Sequence, residues 1–259
     1  MPLSRKQMEA LSPWLVTLGL FILWELIARV GKIPSYILPT PSESIIEGWQ
    51  YKGPIMQHAF QTLYTTSAGF ALAVVFGMLL GVLVGSSKVV YKALYPVLVG
   101  FNSVPKVALV PILVIWFGIG SVPAIITAFL ISFFPVVVNV ATGLATTEPE
   151  LEDVMKALRA TKLDILFNVG LPRAMPYFFA SLKVSVTLAF VGTVIAETVA
   201  SNRGIGNLMM IASSSFDVPL VFAGLLVLAL LGVGLYAIFS LIEGRVIGWA
   251  RRKDGAEFT

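Results

Sequence analysis

Six apolar stretches, each eighteen residues or longer, occupy most of this chain and leave it one solvent to fold in, the lipid bilayer. They run roughly over Leu11–Ala28, Leu63–Gly85, Ala93–Phe117, Val122–Ala145, Tyr177–Ala200 and Val218–Ile242. In hydrocarbon each backbone N–H and C=O needs a partner within the protein, so such stretches form helices. Hydrophobic residues make up 57% of the 259 and charged residues only 12%, too apolar for a water-soluble core of this size. The expectation is an all-α membrane protein with about six transmembrane helices. The third stretch is the most interrupted, by Asn102, Pro105, Lys106 and Pro111.

Lysine and arginine in the connectors set the orientation. With the N-terminus inside, the inner side holds Arg5, Lys6, Lys88, Lys92, Lys156, Arg159, Lys162, Arg173, Arg245, Arg251, Arg252 and Lys253. The outer side holds Arg29, Lys32, Lys52 and Arg203, so the bias is twelve against four. That distribution accounts for the net charge of +4, which in a soluble protein would point to nucleic acid; no nucleic-acid partner is expected. Both termini are placed in the cytoplasm. Arg5 and Lys6 ahead of an apolar run are the pattern of a secretory signal. Glu25 and the lack of an A-x-A cleavage site favour a retained first helix.

A polar island, EPELEDVMKALRATKLDILFNVGLP, lies between the fourth and fifth spans at residues 148–172. Thr147 with Glu150 forms a capping box that predicts a helix start. Leu151, Val154, Met155 and Leu158 then share one apolar face. After a break at Arg159–Thr161, Thr161 and Asp164 cap a second short helix, expected to end near Gly170 and Pro172. Two short amphipathic helices between membrane spans suit docking onto another protein.

The spacing in this island resembles the EAA loop of ABC-transporter permeases, E-A-A-x3-G-x9-I-x-L-P. Asp153-Val154-Met155, Arg159, Val169, Leu171 and Pro172 occupy its register, with Arg159 where the pattern has Gly. A Gly at that point allows a left-handed turn that Arg adopts only at a cost. The stretches IPSYILPTPSES, SVPKVALVPILVIWFGIG, FFPVVVNVATGL, LPRAMPYFFASLKVSV and VIAETVASNRGIG extend the likeness over most of the chain. Together they resemble the nitrate/sulfonate/taurine-type branch of binding-protein-dependent permeases.

That resemblance implies the type I ABC importer permease fold with two short cytoplasmic coupling helices, in a bacterial inner membrane. It implies two permease copies, expected to be a homodimer, with two cytoplasmic ABC ATPase subunits and an external solute-binding protein. ATP and Mg would sit on the ATPase; this chain is expected to bind no cofactor. The solute class it implies is a small organic or inorganic anion such as a sulfonate, with a thiamine-precursor pyrimidine or other heterocycle as the alternative.

Within the spans, Gly77, Gly81 and Gly85 form a G-x-x-x-G-x-x-x-G stripe suited to close helix packing, inside one chain or between two. Polar groups at membrane depth are costly and mark candidate path residues: Asn102, Ser103 and Lys106, with Asn139 and Glu197. For the Asn102–Lys106 cluster two readings stand, pathway lining or a structural interruption. Glu197 and Glu25 fall near outer ends of spans, within reach of water or a partner. Lys183 reads as structural, snorkelling to the inner interface. Between the first two spans, Thr40, Pro41 and Glu43 predict a capped helix with Ile45, Ile46 and Trp49 on one side. This arm serves either as an interfacial packing element or as a platform for an external partner.

Enzyme chemistry finds little footing. His58 is the sole histidine and cysteine is absent, which removes zinc motifs, thiol nucleophiles, disulfides and most His-dependent triads; no metal site is expected. Gly31-Lys32 has Leu26 where a P-loop needs its first Gly, so the chain carries no Walker A motif. The chain divides into residues 1–55 (first span and Pro-rich arm), 56–242 (permease core with the loop at 147–172) and a 243–259 tail. Two rival classes are an ion-coupled secondary transporter and a membrane scaffold. The first needs mid-depth carboxylates that the spans do not show, and the second would use the loop without transport.

Overall fold

The computed structural model describes residues 5–146 and 149–246, and among these eleven α-helices are found with no strand. The first, α1 (Arg5–Val30), leads through a Pro-rich turn to the short α2 (Pro41–Gln50). Next come the long α3 (Lys52–Gly85), the bent pair α4 (Lys88–Asn102) and α5 (Val110–Phe117), and α6 (Ser121–Ala145). The polar island forms α7 (Pro149–Ala157) and α8 (Lys162–Ile165), ahead of α9 (Leu171–Ala200), α10 (Ile205–Ser214) and α11 (Val218–Val246). The Thr147 cap and residues 247–259 of the tail lie outside the described residues. The 55/56 boundary falls in the first turn of α3, which starts well before Leu63.

Among the described residues five helices are long and apolar enough to cross a membrane, the run from α8 through α9 being one of them, and α4 with α5 makes a sixth if the bent pair is one span. The chain is thus an all-α membrane protein. Its spans run alternately between two ends, one carrying the arm and α10, the other carrying α7 and α8.

The centre is α6, packed against α3 on one side and α9 on the other. The α3–α6 seam is made by small residues. A Cβ on Gly77 would lie 2.8 Å from Val136 Cβ, one on Gly81 2.7 Å from Val140 Cβ, and one on Gly85 2.9 Å from Ala141 Cα. The stripe therefore serves packing inside the chain. It also runs further than the sequence reading took it, through Ala73, fully buried, to Gly69, whose added Cβ would sit 2.6 Å from the Ile125 carbonyl. Without a hydrophobic driving force between helices in lipid, such backbone proximity supplies the dispersion contacts that hold the pair.

The arm folds as its residues predict. Thr40 Oγ1 accepts from Glu43 N–H (3.2 Å), and Glu43 accepts in return from Thr40 N–H (2.9 Å). Glu25 is used structurally: it pairs with Arg29 (2.6 Å) and accepts from Ser42 N–H and Oγ, tying α1 to the start of α2. Trp24 Nε1 donates to the Pro39 carbonyl (3.1 Å) and its ring packs near Phe222 of α11. Beyond these contacts α1 is largely exposed within the chain, as befits a lipid-facing helix. Lys183 does more than snorkel: its Nζ lies 2.7 Å from Glu243 and joins α9 to the last turns of α11.

Candidate functional site

Two surfaces hold the residues singled out above, the loop at one end and the break between α4 and α5. In the loop, α7 carries Leu151, Val154 and Met155, with Leu158 just beyond its last turn. Val154 and Leu158 are 58% and 73% exposed, while Leu151 and Met155 are half-buried. Asp153 is exposed and pairs with Lys156 (3.1 Å), a solvated contact worth a few tenths of a kcal/mol at about i,i+3 spacing.

Arg159 adopts φ of +60°. The left-handed turn of the EAA pattern is thus kept although its Gly is not, at a cost of about 1 kcal/mol relative to Gly. Ala160 N–H donating to the Met155 carbonyl (3.0 Å) closes the turn. The second cap forms as expected: Thr161 Oγ1 accepts from Asp164 N–H and Asp164 accepts from Thr161 N–H.

One expectation is corrected. The second helix does not stop at Gly170 and Pro172. From α8 the chain continues through a π turn (Leu166–Gly170) straight into α9, where Pro172 sits in the first turn. Pro172 has no N–H to give to this continuous helix, and the wider bonding of the π turn just before it, with Leu171 N–H donating to the Leu166 carbonyl, carries the backbone past it. Leu166 and the buried Gly170 pack on Leu144 at the end of α6. Residues 162–200 are therefore one helical rod. At about 1.5 Å per residue its 39 residues reach about 58 Å, roughly twice the hydrocarbon thickness, so its first turns project from the membrane. Leu163 and Phe167, four apart and 65% and 63% exposed, give the start of this rod exposed apolar side chains of its own. The sequence reading missed them; their i,i+4 spacing was the available signal.

At the second surface the axis turns by 67° between α4 and α5. Pro105 ends any helix there, and Lys106 Nζ donates to the Asn102 carbonyl (2.9 Å) and Asn102 Oδ1 (2.8 Å). An ammonium at a helix C-terminus meets carbonyls that have no helical partner. Asn102 and Ser103 are exposed and Lys106 half-exposed, with Phe101, Val104 and Val107 exposed around them. Beyond a 3₁₀ turn (Lys106–Leu109), Val110 and Val114 anchor α5 on Ala124 of α6 and on Ala196 and Ala200 of α9.

Asn139 and Glu197 are not brought to this cluster. Asn139 Nδ2 donates to the Pro135 carbonyl of its own helix (2.8 Å). Glu197 is 0% exposed, which corrects the expectation that water reaches it. Thr62 Oγ1 donates to its Oε2 (2.8 Å), Thr65 Oγ1 to its Oε1 (3.2 Å), and Gly206 N–H to Oε2 (3.3 Å). A side chain on Gly204, at φ +110°, would overlap the carboxylate. Glu197 thus joins α3, α9 and the turn into α10 as a structural linchpin. The cue in the sequence was Thr62, Thr65 and Thr66 on one face of α3, opposite a lone span carboxylate. Among the described residues no cluster of three or more potential metal ligands occurs.

The chain thus combines membrane-spanning helices, a loop with exposed apolar side chains and a broken span that carries polar groups. Over residues 73–248 the chain matches the family described as binding-protein-dependent transport system inner membrane component, and it belongs to that family: it is an ABC-transporter permease. It is 32% identical over 250 residues to the formylaminopyrimidine transport permease protein ThiX of Halalkalibacterium halodurans, covering 96% of this chain and 100% of that one. To the putative aliphatic sulfonates transport permease protein SsuC of Bacillus subtilis it is 28% identical, covering 97% and 92%. Its fold matches inward-facing structures of the MetNI methionine ABC transporter with a TM-score of 0.66 at 17% identity, over 74% of this chain and 96% of that one. The chain therefore has the type I importer permease fold and serves as the inner-membrane component of an importer for small solutes.

Proposed function

We propose that two copies of this chain form the path for a small organic or inorganic anion, a sulfonate or a related compound, delivered by a solute-binding protein at the arm end. Two ATPase subunits dock at the α7–α8 end, which faces the cytoplasm together with both termini, in keeping with the charge bias. ATP and Mg bind on those subunits. The observation that carries the reading is the break at residues 102–106. Irregular backbone at membrane depth is tolerated only where protein or a watery cavity covers it, and within one chain this break is exposed. A second copy across a two-fold axis covers it and leaves Asn102, Ser103 and Lys106 beside the cavity. Glu197 and Asn139, satisfied inside the chain, take no part in the path.

Lys106 supports an anionic solute, since a cation kept at depth offers it a counter-charge. The second reading, a pyrimidine-type heterocycle, is favoured by the higher identity to the formylaminopyrimidine relative. Uptake by reconstituted vesicles tests both. Lys106→Ala is expected to lower anion uptake at least several-fold with assembly intact; wild-type uptake across a panel of sulfonates, nitrate and pyrimidines would remove the path role.

A further inference from the structure

At the arm end a cleft of about 360 Å³ opens between the start of α3 and the turn from α9 to α10. Gln57, His58, Phe60, Gln61 and Arg203 line it. The lining holds one fixed positive charge and no carboxylate, and it lies well away from the α4–α5 break in sequence and on other helices.

The turn that presents Arg203 is unusually well fixed. Ser201 Oγ donates to the Arg203 carbonyl (2.6 Å) and accepts from its N–H (3.2 Å). Asn207 Nδ2 donates to the Ser201 carbonyl (2.8 Å), and His58 Nδ1 lies 2.8 Å from the Gly204 carbonyl. Ile205 N–H donates to Thr62 Oγ1, and Gly206 N–H to Glu197. The first amides of α10 are thereby taken, so they offer nothing to a ligand. The Arg203 guanidinium itself is exposed and has no side-chain partner among the described residues. Gln57 and Gln61 stand one turn apart on α3 beside it, with Gln61 Nε2 donating to Ser121 Oγ (2.7 Å). A fixed backbone that presents an unpaired planar cation to a cleft shared with carboxamide groups suits a planar or tetrahedral oxyanion, which Arg takes bidentately.

We infer that this cleft binds an oxyanion of the carboxylate or sulfonate class at the entry side of the transporter, through Arg203 with Gln57 beside it. The assignment of an entry side rests on the transporter reading above. The oxyanion is either that of the arriving solute or an acidic side chain of the docking solute-binding protein.

The experiment uses the full chain assembled with its ATPase in lipid nanodiscs. In one arm, chloride NMR line broadening reports bound anion, methanesulfonate is the competitor, and dimethyl sulfone is the neutral control. In the other, the solute-binding protein is titrated onto the same discs. Arg203→Gln is expected to weaken methanesulfonate competition roughly tenfold, as for one lost charge-assisted bidentate contact, and Arg203→Lys less. The thermal midpoint should not move, because no partner of the guanidinium is lost. A change confined to the first arm assigns the oxyanion to the solute; a change in the second arm, with or without the first, assigns it to the partner protein. Unchanged titrations in both arms for Arg203→Gln overturn the cleft assignment. Solute-stimulated ATP turnover of the wild type, read in the same discs, reports separately on the transporter reading.

Discussion

The two ends of this molecule handle unfavourable surface in opposite ways. At the arm end a carboxylate is taken out of water entirely, and Glu197 is satisfied by Thr62, Thr65 and Gly206 within the chain. At the loop end four apolar side chains, Val154, Leu158, Leu163 and Phe167, stay more than half exposed on turns that project beyond the membrane. The Glu197 cluster is complete in one chain. On the function proposed above, the apolar loop surface is completed by an assembly, because lipid does not cover what stands outside it. A buried cluster that serves folding and the loop proposed to serve coupling thus lie at different ends of this permease and answer to different measurements.

The largest effect is expected at the seam that holds both ends in register. Gly81→Leu places a branched side chain where even a Cβ sits 2.7 Å from Val140, and the α3–α6 pair cannot close. Overpacking of this kind costs about 1–3 kcal/mol per misfit in soluble cores and more against backbone. The expected outcome is loss of folded protein after detergent extraction, judged by size-exclusion profile and thermal melting. A normal melt would mean that the stripe does not govern the seam.

A smaller effect is expected at the arm end. Glu197→Ala leaves the Gly206 N–H without its acceptor, at about 1–3 kcal/mol for a buried group left unpaired, opens a cavity, and turns the Thr62 and Thr65 hydroxyls back to the carbonyls of their own helix. Unfolding in mixed micelles should shift to markedly lower denaturant while insertion persists. A Glu197→Ala protein of wild-type stability but altered solute uptake would return Glu197 to the path and blur the contrast between the ends.

Smallest is the turn at Arg159. At φ +60° an Arg is strained and a Gly is not, and the Arg side chain is exposed. Arg159→Gly should therefore leave ATPase coupling unchanged and stabilise the loop by up to about 1 kcal/mol. Hydrogen exchange of residues 155–161 reads the stability and stimulated ATP turnover the coupling. Weakened coupling in this variant would show that the guanidinium contacts the ATPase.

Much of this was legible in the chain itself. Apolar length placed five spans and signalled trouble in the third, and the Thr40 and Thr161 boxes placed two helix starts because capping chemistry is local. What stayed hidden depended on neighbours. Periodicity gave Glu197 a depth but not the threonines across from it, since a Thr in a helix bonds equally well to its own backbone, as Thr127 does to Pro123. Pro172 read as a stop, yet the helix runs on past it by way of a π turn that has no local sequence signal. Gly69 and Ala73 were passed over because the seam tolerates alanine where the motif asks for glycine.

The central claim, that the loop end is an unfinished interface for an ATPase, is tested most directly with Val154→Asp and Leu158→Asp. Both side chains are exposed, so neither change disturbs the packing of this chain, whereas the half-buried Met155 would confound the result. Each change puts a carboxylate into the proposed contact, where an unpaired buried charge costs several kcal/mol, or two or more orders of magnitude in affinity. ATPase co-purification in lipid, with thermal melting of the permease alone, is the measurement. The account predicts lost co-purification with an unchanged melt; full assembly and normal stimulated ATP turnover in both variants would contradict it.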